Sequence, residues 1–149
     1  MTSRLDRSAS WPYDSAGEPG SFAYARDEHP SGLAVENAIG ALEGGRSLLY
    51  PAGMGAVTGV VLTMLPPEGT IAVAAGSYYG HSQLLEQLRP RGVNSVEYDQ
   101  TGPPPSDAHL ILIEAPSNPM LTMPDFESAV AHPAPRGPAS AAGELGRLV

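Results

Sequence analysis

The chain contains no lysine and no cysteine, and its eight basic residues are all arginine. The absence of cysteine excludes disulfides, thiolate metal sites and cysteine nucleophiles. The absence of lysine excludes the neutral primary amine that carbonyl chemistry requires of a side chain, because a guanidinium group stays protonated. Within these 149 residues, no side chain can therefore act as an amine nucleophile.

Positive charge and long apolar runs are also scarce. The 16 acidic residues outnumber the basic ones and give a net charge of −8, so we expect no nucleic-acid partner. The longest apolar run, residues 56–65, is too short to cross a bilayer, and the N-terminus lacks an apolar signal core. We therefore expect no membrane association and, by default, a cytoplasmic location. The four histidines show no metal-ligand spacing, and no Ser/His/Asp arrangement can be argued, so we expect no metal site.

Two kinds of hydrophobic pattern alternate along the middle of the chain. Helical spacing predicts helices, and short apolar runs predict strands. The predicted helices cover 33–42, 53–65 and 80–88, with a further helix after Pro124, and the predicted strands cover 47–50, 70–75, 95–98 and 110–113. This alternation indicates an α/β fold with a largely parallel sheet and flanking helices.

The two ends of the chain differ from this middle part. Residues 1–31 are rich in Ser, Pro and Gly and predict an extended arm, which is either a disordered terminus or a segment that docks on a partner through its four aromatic residues. Residues 131–149 have no apolar period and predict an irregular tail, for which out-of-frame translation is one hypothesis. We thus divide the chain into an arm (1–31), an α/β domain (32–130) and a tail (131–149).

The segment 50–55, Tyr-Pro-Ala-Gly-Met-Gly, follows a predicted strand and opens a predicted helix. Unpaired N–H groups at a helix N-terminus favour an anion such as phosphate, and small residues allow its close approach. A plain strand-to-helix turn is the simpler interpretation. A dinucleotide site is disfavoured, because the next strand ends at 74–77 without the acidic residue that would bind a ribose.

Two further segments follow predicted strands. Tyr78 and Tyr79 could stack on a flat ligand ring or could simply cover the end of the sheet. The segment 114–119, Glu-Ala-Pro-Ser-Asn-Pro, brings a carboxylate and an amide after the last strand. Ligands of open α/β sheets bind outside the carboxyl ends of the strands, so we expect Glu114 and Asn118 over the same crevice.

Taken together, these motifs resemble the Cys/Met-metabolism family of pyridoxal-phosphate enzymes, which includes cystathionine γ-synthase, cystathionine γ-lyase and methionine γ-lyase. The resemblance runs from about 22 to 125 and rests on five blocks in the same order and spacing. They are Tyr24-Ala-Arg26 with 29–31, then 41–45 (Ala-Leu-Glu-Gly-Gly), 52–54 (Ala-Gly-Met), 79–82 (Tyr-Gly-His-Ser) and 114–119. The fold that it implies is part of the large domain of a fold-type-I pyridoxal-phosphate transferase.

The resemblance also implies roles for particular residues. Gly53 and Met54 resemble the pair whose backbone amides hold the cofactor phosphate, and Tyr79 resembles the tyrosine that stacks on the pyridine ring. Asn118 lies where the family has an asparagine near the ring hydroxyl. Tyr24 and Arg26 resemble a pair that binds the phosphate of a neighbouring subunit, which implies a homo-oligomer, a dimer or a tetramer.

The chain departs from the family pattern at several points. His81 stands where a glycine is usual, and His29 where an asparagine is usual. The chain ends before the family's aspartate, Schiff-base lysine and small domain, so we expect a truncated, marginally stable and aggregation-prone chain with no catalytic residue and at most weak, noncovalent binding of pyridoxal 5′-phosphate. The parent enzyme would catalyse β- or γ-elimination or replacement on an amino acid such as cystathionine. An interaction module that pairs with a full-length subunit is the alternative function.

Overall fold

A computed structural model of the protein describes residues 6–132. The chain forms two compact units, Met1–Tyr50 and Pro51–Val149. Most of the predicted tail, from 133 onward, lies outside the described residues. The division into an arm, an α/β domain and a tail at 31 and 131 therefore stays a prediction.

The helices and strands follow the predicted alternation. The helices are α1 (Pro30–Glu43), α2 (Gly53–Met64), α3 (Tyr79–Leu88) and α4 (Phe126–Val130), with a short 3₁₀ turn at Arg89–Arg91. The strands are β1 (Thr70–Ala74), β2 (Asn94–Tyr98) and β3 (Leu110–Leu112). Helices were thus predicted at the right places, and their ends differ from the prediction by only a few residues.

In the first unit, α1 begins earlier than its apolar spacing indicated because a side chain caps it. His29 Nδ1 accepts a hydrogen bond from the N–H of Gly32 at 3.1 Å, and Pro30 occupies the first turn, where its missing N–H costs nothing. At the other end, Gly44 takes the left-handed conformation (φ 72°) that closes a helix, as the Gly-Gly signal indicated.

The N-terminal segment 6–29 contains no helix or ladder strand. Two isolated antiparallel bridges, Ser10 with Tyr24 and Tyr13 with Pro19, fold the segment back on itself. The rings of Trp11 and Phe22 lie 5.5 Å apart between these bridges. Trp11 and Phe22, two of the four aromatic residues of the arm, thus contact each other within it.

The strand predicted at 47–50 is wrong. None of these residues belongs to the sheet, and Leu48 and Leu49 are 75% and 53% exposed. Glu36 of α1 provides the partners instead: its backbone carbonyl accepts from Ser47 Oγ at 2.6 Å, and its carboxylate accepts from Leu49 N–H at 2.7 Å. Apolar composition makes a strand only where another strand supplies ladder hydrogen bonds.

The second unit is built on a three-stranded parallel sheet in the order β2-β1-β3. Ile71 of β1 pairs with Ser95 of β2 and with Leu110 of β3. The central strand β1 is almost entirely buried, as a strand covered on both faces must be. The predicted fold class, a parallel sheet with flanking helices, is confirmed.

Alternation along β1 divides the core between the two faces of the sheet. Ile71 and Val73 pack with Val61 of α2 and with Leu85 and Leu88 of α3. Ala72 faces the other side, where it packs with Tyr98 and Ala108. Helices α2 and α3 are therefore anchored side by side on one face, and this arrangement places their N-termini. Among the described residues, no helix is long and apolar enough to cross a membrane.

The buried side chain of Ile71 gives a test of this packing. Ile71→Val should lower the free energy of unfolding by about 0.5–1.5 kcal/mol, and Ile71→Ala by about 2–5 kcal/mol, because the larger truncation leaves a larger cavity. Urea unfolding followed by circular dichroism would measure both. Leu42→Ala, at an 81% exposed position of α1, serves as the control and should change stability little. Equal effects of the Ile71 and Leu42 truncations would contradict the assignment of the core.

Candidate functional site

Helix α2 begins without a side chain to cap it. Its N-cap is Ala52, which has extended backbone angles and makes no side-chain cap hydrogen bond. The N–H groups of Gly55 and Ala56 bond to the Ala52 carbonyl, whereas no residue of the described part accepts from the N–H groups of Gly53 or Met54. The first turn also carries no acidic residue. This end of α2 therefore has free donors and the positive end of the helix dipole.

A cavity of about 410 Å³ adjoins these amides. It is lined by residues from the beginnings of α2 and α3, namely Ala52, Gly53, Met54, Val57, Tyr78 and His81. Its volume lies in the range of about 300–1,000 Å³ that is usual for small-molecule sites. A second cavity of about 300 Å³ shares Met54 and Tyr78 with the first and includes Tyr79 and Gly80.

The two tyrosines at the start of α3 take different positions. Their ring centroids lie 4.7 Å apart, and Tyr79 is 64% exposed, whereas Tyr78 lines both cavities. A Cβ atom on Gly80 would lie 2.5 Å from Tyr78 Cε1 and 3.1 Å from Met54 Sδ, so a larger residue here would have to displace the Tyr78 ring. The pKa of the Tyr78 phenol is raised, first through hydrogen bonding with Tyr79, so this phenol stays neutral near pH 7.

The carboxylate of Glu114 joins the loops that follow β1 and β3. Its Oε2 atom accepts hydrogen bonds from Tyr78 N–H at 3.0 Å and from Asn118 N–H at 3.1 Å. This connection between the two loops agrees with the expectation that Glu114 and Asn118 lie at the same edge of the sheet as Tyr79. Glu114 thus positions the backbone of these two loops, because its carboxylate oxygen accepts hydrogen bonds from two N–H groups of the protein itself.

A buried polar network holds the loop that carries Asn118. Gln100, which is 3% exposed, donates from Nε2 to the carbonyls of Glu114 and Thr122 at 2.9 and 3.0 Å. The hydroxyl of Ser117 is fully buried and lies 2.6 Å from that of Thr122. The bonds Ala115–Pro116 and Asn118–Pro119 are both cis. Asn118 itself is exposed on this fixed loop.

His81 is the buried titratable residue of the larger cavity. It is 8% exposed, and its Nδ1 atom has no hydrogen-bond partner among the described residues. The ring meets that of Tyr78 edge-on, with centroids 5.7 Å apart. Burial lowers the pKa of His81 below its ordinary value of 6.5, and the negative charge of Glu114 opposes this shift in part. The unfolded chain therefore takes up the proton first, and acidification below pH 6.5 removes stability from the fold.

Tyr24 and Arg26 belong to the first unit. The Arg26 guanidinium carbon lies 4.3 Å from the centroid of the Tyr24 ring, a cation–π contact, and Arg26 is exposed. Backbone bonds from Asp27 and Glu28 to the Tyr24 carbonyl close a turn at this point. The pair is thus a preorganised surface feature of the arm.

The structure brings most of the predicted site residues of the second unit together. Gly53 and Met54 line the larger cavity, Met54 and Tyr79 the smaller one, and Asn118 is connected to Tyr78 through Glu114. Sequence reasoning missed Val57 and His81 as lining residues, and it considered Tyr78 for a ligand ring but assigned the stacking role to Tyr79. The Tyr-Tyr pair and the polar His81 beside it were the available signals, but which tyrosine points toward α2 depends on packing.

Comparison with known proteins identifies the family. The profile of the family described as "Cys/Met metabolism PLP-dependent enzyme" matches residues 1–136, so the chain belongs to this family. It is 32% identical over 127 residues to cystathionine gamma-synthase of Escherichia coli, covering 80% of this chain and 33% of that protein. It is 31% identical over 146 residues to the chloroplastic cystathionine beta-lyase of Arabidopsis thaliana, covering 89% of this chain and 30% of that protein.

Solved structures agree with the sequence comparison. Cystathionine gamma synthase from Xanthomonas oryzae pv. oryzae, crystallised in complex with aminoacrylate and cysteine, superposes with a TM-score of 0.72 at 28% identity. The match covers 88% of this chain and 37% of that one. The family and the fold-type resemblance are thus confirmed, and the chain spans about a third of the length of its relatives.

Removal of the Glu114 charge tests the electrostatics of the site. Glu114→Gln keeps an acceptor oxygen but deletes the charge that favours imidazolium, so the pKa of His81 should fall further below 6.5. An NMR pH titration of the His81 ring proton Cε1–H would measure it, with His81→Gln used to assign the signal. Glu97→Gln, on an exposed position of β2, is the control and should leave this pKa in place. A rise of the His81 pKa in Glu114→Gln would contradict the arrangement.

Proposed function

We propose that the second unit forms the phosphate-binding part of a pyridoxal 5′-phosphate site in an enzyme of sulfur amino-acid metabolism. The observation that carries the proposal is the open N-terminus of α2, with free Gly53 and Met54 amides beside a cavity bounded by Tyr78. Phosphate is the anion that such helix ends hold well. Family membership supplies the identity of the phosphorylated ligand.

The donor set of the site fits this cofactor. Two backbone amides and the helix dipole suit a phosphate, and the cavity next to them is lined mainly by apolar and aromatic groups that suit a pyridine ring. No acidic side chain lines this cavity. In this proposal, Gly53 and Met54 bind the phosphate, and Asn118 approaches the ring hydroxyl. The pyridine extends into the smaller cavity, which Tyr79 lines and where the ring of Tyr79 stacks on it.

The chemistry of the whole enzyme extends beyond these residues. When bound, pyridoxal phosphate supplies an electron sink for carbanions at the substrate amino acid. The 149 residues include no lysine, so in this proposal they bind and orient that group without forming a covalent bond to it. The parent reaction in this proposal is β- or γ-elimination or replacement on a cystathionine-like or homoserine-ester substrate, as the names of the relatives support.

The helix-end proposal is tested by Ala52→Asp. An aspartate at this N-cap should accept hydrogen bonds from the amides of the first turn and raise the free energy of unfolding by about 0.5–2 kcal/mol. The same carboxylate should abolish phosphate binding, because it takes the donors and adds negative charge. Calorimetric titration with pyridoxine 5′-phosphate measures this; the probe lacks an aldehyde and cannot react with the N-terminal amine.

Two controls sharpen the result. Ala52→Ser caps the helix without a charge and should weaken binding less than Ala52→Asp. Unphosphorylated pyridoxine should bind the wild-type chain and both variants alike. Retention of wild-type affinity for pyridoxine 5′-phosphate in Ala52→Asp, with the expected gain in stability, would refute the proposed phosphate site.

A second candidate function is an interaction module that pairs with a full-length subunit. The observation that favours it is the exposed Arg26 held over the Tyr24 ring, since a preorganised guanidinium loses little entropy on binding a phosphate. In this proposal, Tyr24 and Arg26 contact the cofactor phosphate of a neighbouring subunit of a dimer or tetramer. The two candidate functions use different units and are compatible with each other.

Co-expression tests the second candidate. With tagged Escherichia coli cystathionine gamma-synthase as the full-length partner, size-exclusion chromatography with light scattering should show a mixed oligomer, and Arg26→Gln should reduce the share of this chain in it several-fold. Arg7→Gln, at another exposed position of the same unit, is the matched control and should leave the share unchanged. Elution of the two chains as separate species would exclude this function.

A further inference from the structure

His81 is a buried polar side chain whose position the folding of α3 does not explain. Its exposed fraction is 8%, and its Nδ1 atom has no hydrogen-bond partner among residues 6–132. Burial of an unpaired polar group costs free energy, and an apolar residue would fill the same helix position without that cost. Orphaned buried polar atoms of this kind are uncommon and call for a functional explanation.

The surroundings of His81 point to a ligand. The residue lines the 410 Å³ cavity whose opposite wall is the beginning of α2, with the free amides of Gly53 and Met54. The open helix end and the unpaired imidazole are independent observations, because they come from different helices. Both supply what an anion needs: donors, and in His81 a ring that can also carry a positive charge.

We propose that His81 is a further binding residue for the phosphate of the ligand at the N-terminus of α2, which makes the phosphate site a cradle of two amides and an imidazole. This inference rests on the proposed function above and extends it. It assigns to α3 a direct part in anion binding in addition to its aromatic residues.

Two titratable groups contact or influence the His81 ring, and they set its charge. The Tyr78 phenol packs edge-on against it and is neutral, and the Glu114 carboxylate acts on it with a negative charge. Burial favours the neutral form of the ring, and this effect is larger than the opposing effect of the Glu114 charge, which favours the imidazolium. A phosphate in the cavity adds negative charge on the other side and should favour the imidazolium. By linkage, the ligand and the proton then strengthen each other's binding.

An NMR titration of the full 149-residue chain tests this directly. The pKa of His81, followed through its Cε1–H signal, should rise when pyridoxine 5′-phosphate is added at saturating concentration and should not change with unphosphorylated pyridoxine. A pKa that is the same with and without the phosphorylated probe would overturn the proposal. The wild-type protein suffices for this measurement, so it does not depend on the folding of any variant.

Substitution gives the second arm of the test. His81→Gln keeps a polar side chain without a charge, and His81→Phe fills the volume without a polar group. Both variants should weaken binding of pyridoxine 5′-phosphate about tenfold or more, because each loses a hydrogen bond to a charged group. Binding of unphosphorylated pyridoxine should change little. Circular dichroism and thermal melts would check that the variants fold, and His109→Gln, at an exposed position before β3, is the matched control.

The outcomes separate this inference from the proposed function. Wild-type affinity in His81→Gln, together with loss of binding in Ala52→Asp, would overturn the role of His81 and leave the helix-end site intact. Tighter binding in His81→Gln or His81→Phe would show that the imidazole obstructs the cavity, and would also overturn it. Absence of pyridoxine 5′-phosphate binding by the wild-type chain would overturn both proposals.

Discussion

The hydrogen bonds of the Glu114 carboxylate are the interaction on which the geometry of the site depends. One oxygen accepts from the backbone of Tyr78 and of Asn118, so the loop after β1 and the loop after β3 share an anchor. The parallel pairing of these two strands brings their carboxyl ends to one edge of the sheet and makes that anchor possible. Through Tyr78, the same carboxylate fixes the start of α3 and hence the wall of the cavity that faces α2.

The start of α2 shows the opposite arrangement, in which donors are left without protein partners. A serine or aspartate at position 52 would stabilise the helix, but Ala52 leaves the amides of Gly53 and Met54 free. His81 is a second residue that lowers the stability of the fold, because its imidazole is buried with an unpaired nitrogen. Local choices that cost stability cluster at functional sites, and here both border one cavity. This coincidence is the structural argument for the proposed phosphate site.

The second unit has a small core and a large amount of exposed apolar surface. Among the described residues, the core cluster beneath α2 and α3 contains five buried side chains, and exposed apolar residues are found on α2, α3 and α4. Among them are Leu62, Tyr79 and Val130. Such surfaces in a chain that spans about a third of its relatives are consistent with a marginal stability, which the sequence also indicated. Whether the chain aggregates stays a prediction.

The sequence by itself determined the order of the helices and of strands β1 to β3, the parallel α/β class and the family. These features follow from hydrophobic period, helix signals and block spacing, which are local in the chain. Anion binding at the 52–54 turn stays a prediction. Only the tertiary structure decided that 47–50 is not a strand. It also decided that Tyr78 and not Tyr79 lines the 410 Å³ cavity, and that His81 is buried beside this cavity with an unpaired Nδ1 atom. The physical reason is that a ladder partner, a cavity wall and a missing hydrogen bond are each set by residues distant in the chain, which a local pattern does not specify.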